Sequence, residues 1–227
     1  MKTIRTYYKK HIERNKKMKR WISGILGLLV LLSVIVFIRT YNAIMKPNTM
    51  ITNDSEVSLY IHSDDDFETI KNKLYSDSVI INRRSFEWLA KKLDYPKYIK
   101  SGHYVIKDRM NNNQLLNMLR SGSQIPIDFT FNNIRTIEQF AKEADDQLEL
   151  DSLSILKKES FASLFIPNTY ELYWNINPKD FIEKMTNEYK KFWNDTRLQK
   201  AKEINLTPIE VSILASIVDK ETTKASE

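Results

Sequence analysis

The sequence predicts an α+β fold. One amino-terminal membrane-spanning helix comes first, then a small βααβ unit, then the opening part of a mixed α/β domain. Three observations carry this. Residues 21–38 (WISGILGLLVLLSVIVFI) contain no charge in eighteen positions, and a helix of that length rises about 27 Å, close to the thickness of a bilayer's hydrocarbon core. Alternating apolar stretches recur at 57–62, 101–106 and 125–131, as half-buried strands require. Between and after them, apolar residues recur at three- and four-residue spacing, the signature of helices that bury one face. The boundaries read as a basic tail at 1–20, the span at 21–38, an exit linker at 39–55, the βααβ unit with its connecting helix at 56–122, and the mixed domain at 123–227.

Charge is distributed in a way that decides topology. The chain of 227 residues carries a formal +6, but residues 1–20 hold nine of the basic side chains and a single acid, Glu13, for a local +8. The other 26 basic and 28 acidic residues leave the body at −2. A near-neutral body has no electrostatic footprint for nucleic acid. A basic tail directly before an apolar span instead places the amino terminus in the cytoplasm and everything after the span outside, in the periplasm or its equivalent. Trp21 sits where an interfacial aromatic belongs, and Arg39 closes the span. A cleaved signal peptide is the rival, but its apolar region is usually shorter and followed by a small-x-small site. RTYNAIM follows here.

Composition excludes several chemistries. There is no cysteine, so disulfides, thiolate nucleophiles and thiolate metal sites are out. The three histidines, His11, His62 and His103, lie far apart without metal-ligand spacing. Neither a metal nor a cofactor is expected. Only two of the four glycines, Gly102 and Gly122, lie outside the span, too few for a phosphate-cradling loop.

Taken in order, VSLYIH at 57–62 reads as a strand. Ser63 and Asp64, Asp65 and Asp66 read as the cap and acidic first turn of a helix through Phe67, Ile70 and Leu74. The three aspartates could also bind a cation, but a solvated helix start is the ordinary reading. A second helix opens at Ser85 and buries Phe86, Leu89, Ala90 and Leu93. SGHYVI is the returning strand. NNNQLLNMLRSG is a short helix with Leu115, Leu116 and Leu119 inside and a glycine stop. IPIDFTF is a strand, and a helix through Ile137, Phe140 and Ala141 follows. The aromatic stretch at 160–175, SFASLFIPNTYELYWN, breaks the periodicity and reads as a loop. It could line a sugar site, through ring stacking and the polar Asn168, Thr169, Tyr170 and Glu171, or equally plug the core. Residues 178–194 form an amphipathic helix with Phe181, Met185, Tyr189 and Phe192 on one stripe.

The last helix carries the sharpest feature. Thr207-Pro208-Ile209-Glu210 is a capping box with proline at the first helical position. Leu214, Ile217, Val218 and Glu221 then stand at i, i+3, i+4 and i+7, so Glu221 is in phase with the apolar stripe while Asp219 and Lys220 point elsewhere. A carboxylate on a core-facing side loses hydration, which favours its neutral form, the condition for a general acid near neutral pH. A glycosidase pair would need a second carboxylate across the scissile bond. Glu171 is that partner only if the fold brings it there. On the residues alone, a solvated or lysine-paired helix end explains Glu221 as well.

ASIVDKETTKASE, at 215–227, closely resembles the ASI(I/V)EKET…ASE motif of the YceG-like endolytic murein transglycosylases. VIINRRSFEWLAKKL and IKSGHYVI are similar to that family's LysM-like module. LLNMLRSGSQIPIDFTFNNIRTIEQFA resembles its domain junction and FIPNTYELYW its FxPDTYE-type loop, so the likeness runs over about 57–227. The resemblance implies that Glu221 is the catalytic acid/base of a membrane-anchored lytic transglycosylase. Such an enzyme cleaves MurNAc–GlcNAc bonds within peptidoglycan strands and leaves 1,6-anhydroMurNAc ends. It further implies cell-wall synthases (penicillin-binding proteins) as partners and no cofactor. Two departures stand out. Asp219 replaces the motif's usual glutamate, outside the stripe. The family's catalytic domain also continues well past the ASE segment, so a chain stopping at Glu227 is expected to be inactive alone. In that form a non-catalytic anchored scaffold that binds peptidoglycan and recruits synthases is the alternative.

Overall fold

The computed structural model describes residues 2–51, 55–132, 134, 136–150 and 165–224. The expected α+β class holds at the level of helices and small sheets: eight α-helices and two two-stranded sheets among the described residues. They divide into two compact units, Met1–Val57 with Lys71–Ile99 and Ile106–Arg120, and Ser58–Ile70 with Lys100–Val105 and Ser121–Glu227.

The first unit begins with α1 (Lys2–Met45), whose apolar window within Trp21–Met45 has a mean hydropathy of 2.7 and no buried residue, with Thr40, Ala43 and Ile44 partly covered toward its end. The helix runs seven residues past the expected end of the span. It stops where Pro47 removes a backbone donor and forces the preceding residue out of helical geometry. The stretch read as an exit linker is therefore part helix and part packed chain, with Asn48 and Thr49 buried. In α3 (Arg83–Lys92) the cap is Asn82, whose side chain accepts from the Ser85 N–H, so the helix starts two residues before Ser85. Phe86, Leu89 and Ala90 are buried as their spacing predicts. A single 3₁₀ turn (Tyr95–Lys97) follows. α4 (Asn112–Ser121) buries Leu115, Leu116 and Leu119.

β1 (Glu56–Ile61) pairs with β2 (Gly102–Lys107). α2 (Phe67–Ser76) is capped by Asp66, whose carboxylate accepts from the Thr69 N–H and hydroxyl, both at 2.8 Å. The cap is thus the last of the three aspartates. Ser63 and Asp64 form a preceding turn, because the helix must begin where Phe67 can turn inward. The backbone bond from Thr69, then its hydroxyl, holds the Asp66 carboxyl below the usual carboxylate range.

In the second unit, Gly122 takes φ +74° just past α4, the left-handed stop that glycine adopts without a Cβ penalty. β3 (Ile127–Phe131) pairs antiparallel with β4 (Asn168–Leu172), and α5 (Ile137–Gln147) lies between them in sequence. Phe129, Phe131, Phe140, Ala144, Leu148, Leu150, Tyr170, Leu172, Phe181 and Met185 make one core. α6 (Pro178–Phe192) buries Phe181 and Met185, whereas Phe192 at the end of the expected stripe is exposed. α7 (Asp195–Glu203) was not foreseen, since Ala201 is its single buried residue. It ends in a Schellman pattern, with Asn205 at φ 53° and Leu206 N–H bonded to the Ala201 carbonyl at 3.0 Å. α8 (Pro208–Lys224) closes the described residues.

Candidate functional site

The four loop residues singled out in sequence lie on β4, a strand and not a loop. Residues 160–164 of that stretch lie outside the described residues. Pairing of β4 with β3 sets Glu171 opposite Asp128, Tyr170 opposite Phe129 and Thr169 opposite Thr130. Because side chains alternate along a strand, these four do not act together. Thr169 and Glu171 are on the exposed face, with the Thr130 and Thr169 hydroxyls 2.8 Å apart. Tyr170 turns the other way. It is buried, stacks on Phe131 at 5.7 Å, and donates its hydroxyl to the Ile166 carbonyl at 2.5 Å. Burial, and then the nearby Glu188 charge, push its phenol up from the ordinary value. Tyr170 is a packing residue. Asn168 is exposed, and its side-chain oxygen accepts from the Thr169 N–H at 2.9 Å.

The exposed face of this hairpin is set by a side chain that periodicity did not single out. The Gln147 amide on α5 works as a substitute strand: its oxygen accepts from the Thr130 N–H at 3.1 Å and its nitrogen donates to the Thr130 carbonyl at 2.8 Å. Gln147→Ala leaves both backbone groups without these bonds. The expected loss is about 1–3 kcal/mol of unfolding free energy, measured by denaturant unfolding, with faster exchange of the Thr130 amide.

A second polar group sits at the start of α2. His62, Asp64 and Glu149 bring their potential ligand atoms within 4.8 Å of one another. Glu149 accepts from the Ser63 N–H at 2.6 Å and the Ser63 hydroxyl at 3.0 Å, with His62 Nδ1 at 3.5 Å. The Trp174 ring packs edge-on against His62 at 4.8 Å. His62 and Asp64 are exposed, and the contacts of Glu149 with Ser63 and His62 form a polar staple. Sequence reading missed it because Glu149 is 86 residues from Ser63. Beside it, buried His103 lies under Tyr60 at 4.6 Å. A carbonyl can only accept, so His103 Nδ1 donates to Ile125 O at 3.3 Å, with Nε2 bonded to the Ser58 hydroxyl at 3.0 Å.

The capping box of α8 forms as read. The Thr207 N–H and hydroxyl donate to Glu210 at 2.7 and 2.8 Å, and the Glu210 N–H returns to the Thr207 hydroxyl at 3.3 Å. These bonds, the backbone one first, lower the Glu210 pKa. A lowered folded value means the cap contributes fully above the unfolded-state pKa and is lost as pH falls through the folded one. Acidification should therefore lower the protection of the Thr207 amide, relative to its intrinsic exchange rate at each pH, before that of the α6 amides, which amide-resolved hydrogen exchange would show.

Glu221 stands seven residues after Leu214 on this helix, in phase as expected, but the face itself is not buried. Leu214, Ile217 and Val218 are each about half exposed, and Glu221 is exposed with them. The expectation of a core-facing carboxylate is corrected: a three- and four-residue pattern marks an apolar face, and only a packing partner buries it. The side chains of Asp219 and Lys220, and the closing residues 225–227, lie outside the described residues.

An amino-terminal apolar helix, small α+β units and a proline-started helix carrying Glu221 define the class of chain. Residues 59–227 match the YceG-like family, and the chain belongs to that family. No curated protein matches it. Among solved structures it is similar to a yceG-like protein from Listeria monocytogenes, crystallised at 2.6 Å, with 18% identity over 65% of this chain and a TM-score of 0.35. The chain spans 59% of that protein's length.

Proposed function

We propose that this chain carries the acid/base part of a membrane-anchored endolytic peptidoglycan lytic transglycosylase. The observation that carries the proposal is the family match over 59–227, which includes the ASIVDKET segment and Glu221. Glu221, as the acid, protonates the glycosidic oxygen between MurNAc and GlcNAc while the C1–O bond breaks. As the carboxylate, it then takes the proton from the MurNAc C6 hydroxyl as that oxygen bonds to C1. The products are a 1,6-anhydro end and a free GlcNAc hydroxyl, with no water consumed and the glutamic acid restored. One carboxylate suffices, because the substrate supplies its own nucleophile. Thr169 and Glu171 bind sugar hydroxyls from the exposed face of β4, with exposed Asn168 adding to them from the first position of the strand.

The basic tail and the apolar α1 span support a location in the cell membrane with the amino terminus inside. The two-helix, two-strand unit around 56–122 acts as a LysM-like glycan-binding module, and cell-wall synthases are the partners. The exposure of Glu221 and its apolar neighbours favours a second reading for the chain by itself, a peptidoglycan-binding scaffold. A catalytic acid works in low-polarity surroundings, which this helix face does not provide among the described residues. Digestion of peptidoglycan, followed by mass spectrometry of the glycan ends, separates the readings. Anhydro ends support the lyase, reducing ends support hydrolysis, and no new ends support the scaffold.

A further inference from the structure

We propose that a buried asparagine clasp fuses the outer end of α1 to the first unit, making anchor and unit one rigid piece seated at the headgroup layer of the membrane. The inference rests on the reading of α1 as a membrane anchor.

The chemistry starts at the end of the helix. The carbonyl of Ala43 would ordinarily accept from the N–H four residues on, but that residue is Pro47, which has none. Asn112, at the start of α4, supplies the missing donor: its Nδ2 reaches Ala43 O at 2.8 Å and also the Ser85 hydroxyl at 3.0 Å. Its Oδ1 accepts from Asn48 Nδ2 at 2.6 Å. Asn48 in turn donates to the Asn82 carbonyl at 3.1 Å and accepts from the Asn82 N–H at 2.7 Å. Asn112 is 1% and Asn48 4% exposed. Both amides are therefore committed on oxygen and nitrogen, away from water, to the end of α1 and to α3. Fully satisfied buried networks of this kind fix one geometry, because any slip leaves an amide unpaired.

The chain following α1 is held on both sides as well. The Asn48 and Thr49 N–H groups donate to Met110 O, Met50 N–H donates to Val79 O, and Ile81 N–H donates to Asn48 O. The Thr49 hydroxyl donates to Lys107 O at 2.8 Å and accepts from the Met110 N–H at 2.7 Å. A free linker over 39–55 would spread over roughly 20–25 Å. This one has no slack through residue 50.

Depth follows from helix rise. Arg39 is the first charge after the apolar run, and Ala43 lies four residues, about 6 Å, beyond it. A headgroup layer is about 5–7 Å thick on each side. Ala43, and with it Ser85 and the adjoining Arg84 of α3, therefore comes to the outer headgroup layer.

The chain has no native cysteine, so spin labels go only where placed. Pulsed dipolar EPR between Ile38→Cys and Lys92→Cys in lipid nanodiscs should give a single narrow distance peak, and Asn112→Leu should lose it. A broad distribution in the otherwise native chain would overturn the clasp. Should Asn112→Leu fail to fold, Asn48→Ala makes the same test, and the native distribution stands as a test without either. A label at Arg84→Cys should be strongly relaxed by nickel-chelating headgroup lipids, and its absence would overturn the seating. Flotation with liposomes tests the anchor reading separately, while the same distance in detergent micelles tests the clasp without it.

Discussion

Replacing Glu221 with glutamine, in a protein carrying the whole length of the family domain, is expected to cut peptidoglycan cleavage by about 10²–10⁴-fold. Glutamine keeps the size and the hydrogen-bonding oxygen but cannot deliver or take a proton. In the proposed mechanism one group serves both proton transfers, so no partner is left to carry part of the rate. Glu221 is exposed on α8, so the substitution opens no cavity and the fold should be unchanged by circular dichroism. The anhydro ends should disappear with the activity. If the variant cleaves at the native rate, Glu221 is a solvated helix end and the enzymatic reading fails. If both proteins leave reducing ends, water is the acceptor and a second carboxylate must be sought, Glu171 first.

How much of this was legible in the sequence depends on what each element needed. β1 and β3 alternate because one face of each is buried, and the alternation shows in the residue types themselves, whereas β2 is buried on both faces over Gly102, His103 and Tyr104. The helix of Phe86, Leu89 and Ala90 is readable from its three- and four-residue spacing, though it starts two residues before the expected Ser85. β4 was missed because Pro167 and polar residues lead into it and just two of its residues, Tyr170 and Leu172, turn inward. α7 was missed because it is held by caps at both ends and buries almost nothing. Long-range ties, such as Glu149 to Ser63 or Asn112 to Ala43, leave no local pattern. Glu221 is the instructive case. The helical period correctly put it in line with Leu214, Ile217 and Val218, but a period fixes direction around an axis, and the structure leaves that direction open to solvent.

The largest stability effect is expected at Phe140. Its ring meets Phe131 edge-on at 4.9 Å, Phe129 at 6.3 Å and Phe181 at 6.0 Å, and stacks on Phe165 at 3.9 Å. It is 1% exposed. α5 thus covers the inner face of the paired β3 and β4 strands chiefly with this side chain, beside the smaller Ala144. Phe140→Ala removes the ring's transfer energy and leaves a cavity that four neighbouring aromatics cannot all relax into, at a cost of about 3–5 kcal/mol. Phe140→Leu keeps most of the volume and should cost clearly less. An entire domain has about 5–15 kcal/mol in hand, so the alanine variant should melt far lower or fail to fold at 37 °C. Hydrogen exchange should then locate the loss in β3, β4 and α6. A shift of less than about 1 kcal/mol would mean that the paired strands do not depend on the Phe140 ring. The exposed face of Thr130, Thr169 and Glu171 would then owe its geometry to the strand pairing and the Gln147 amide alone.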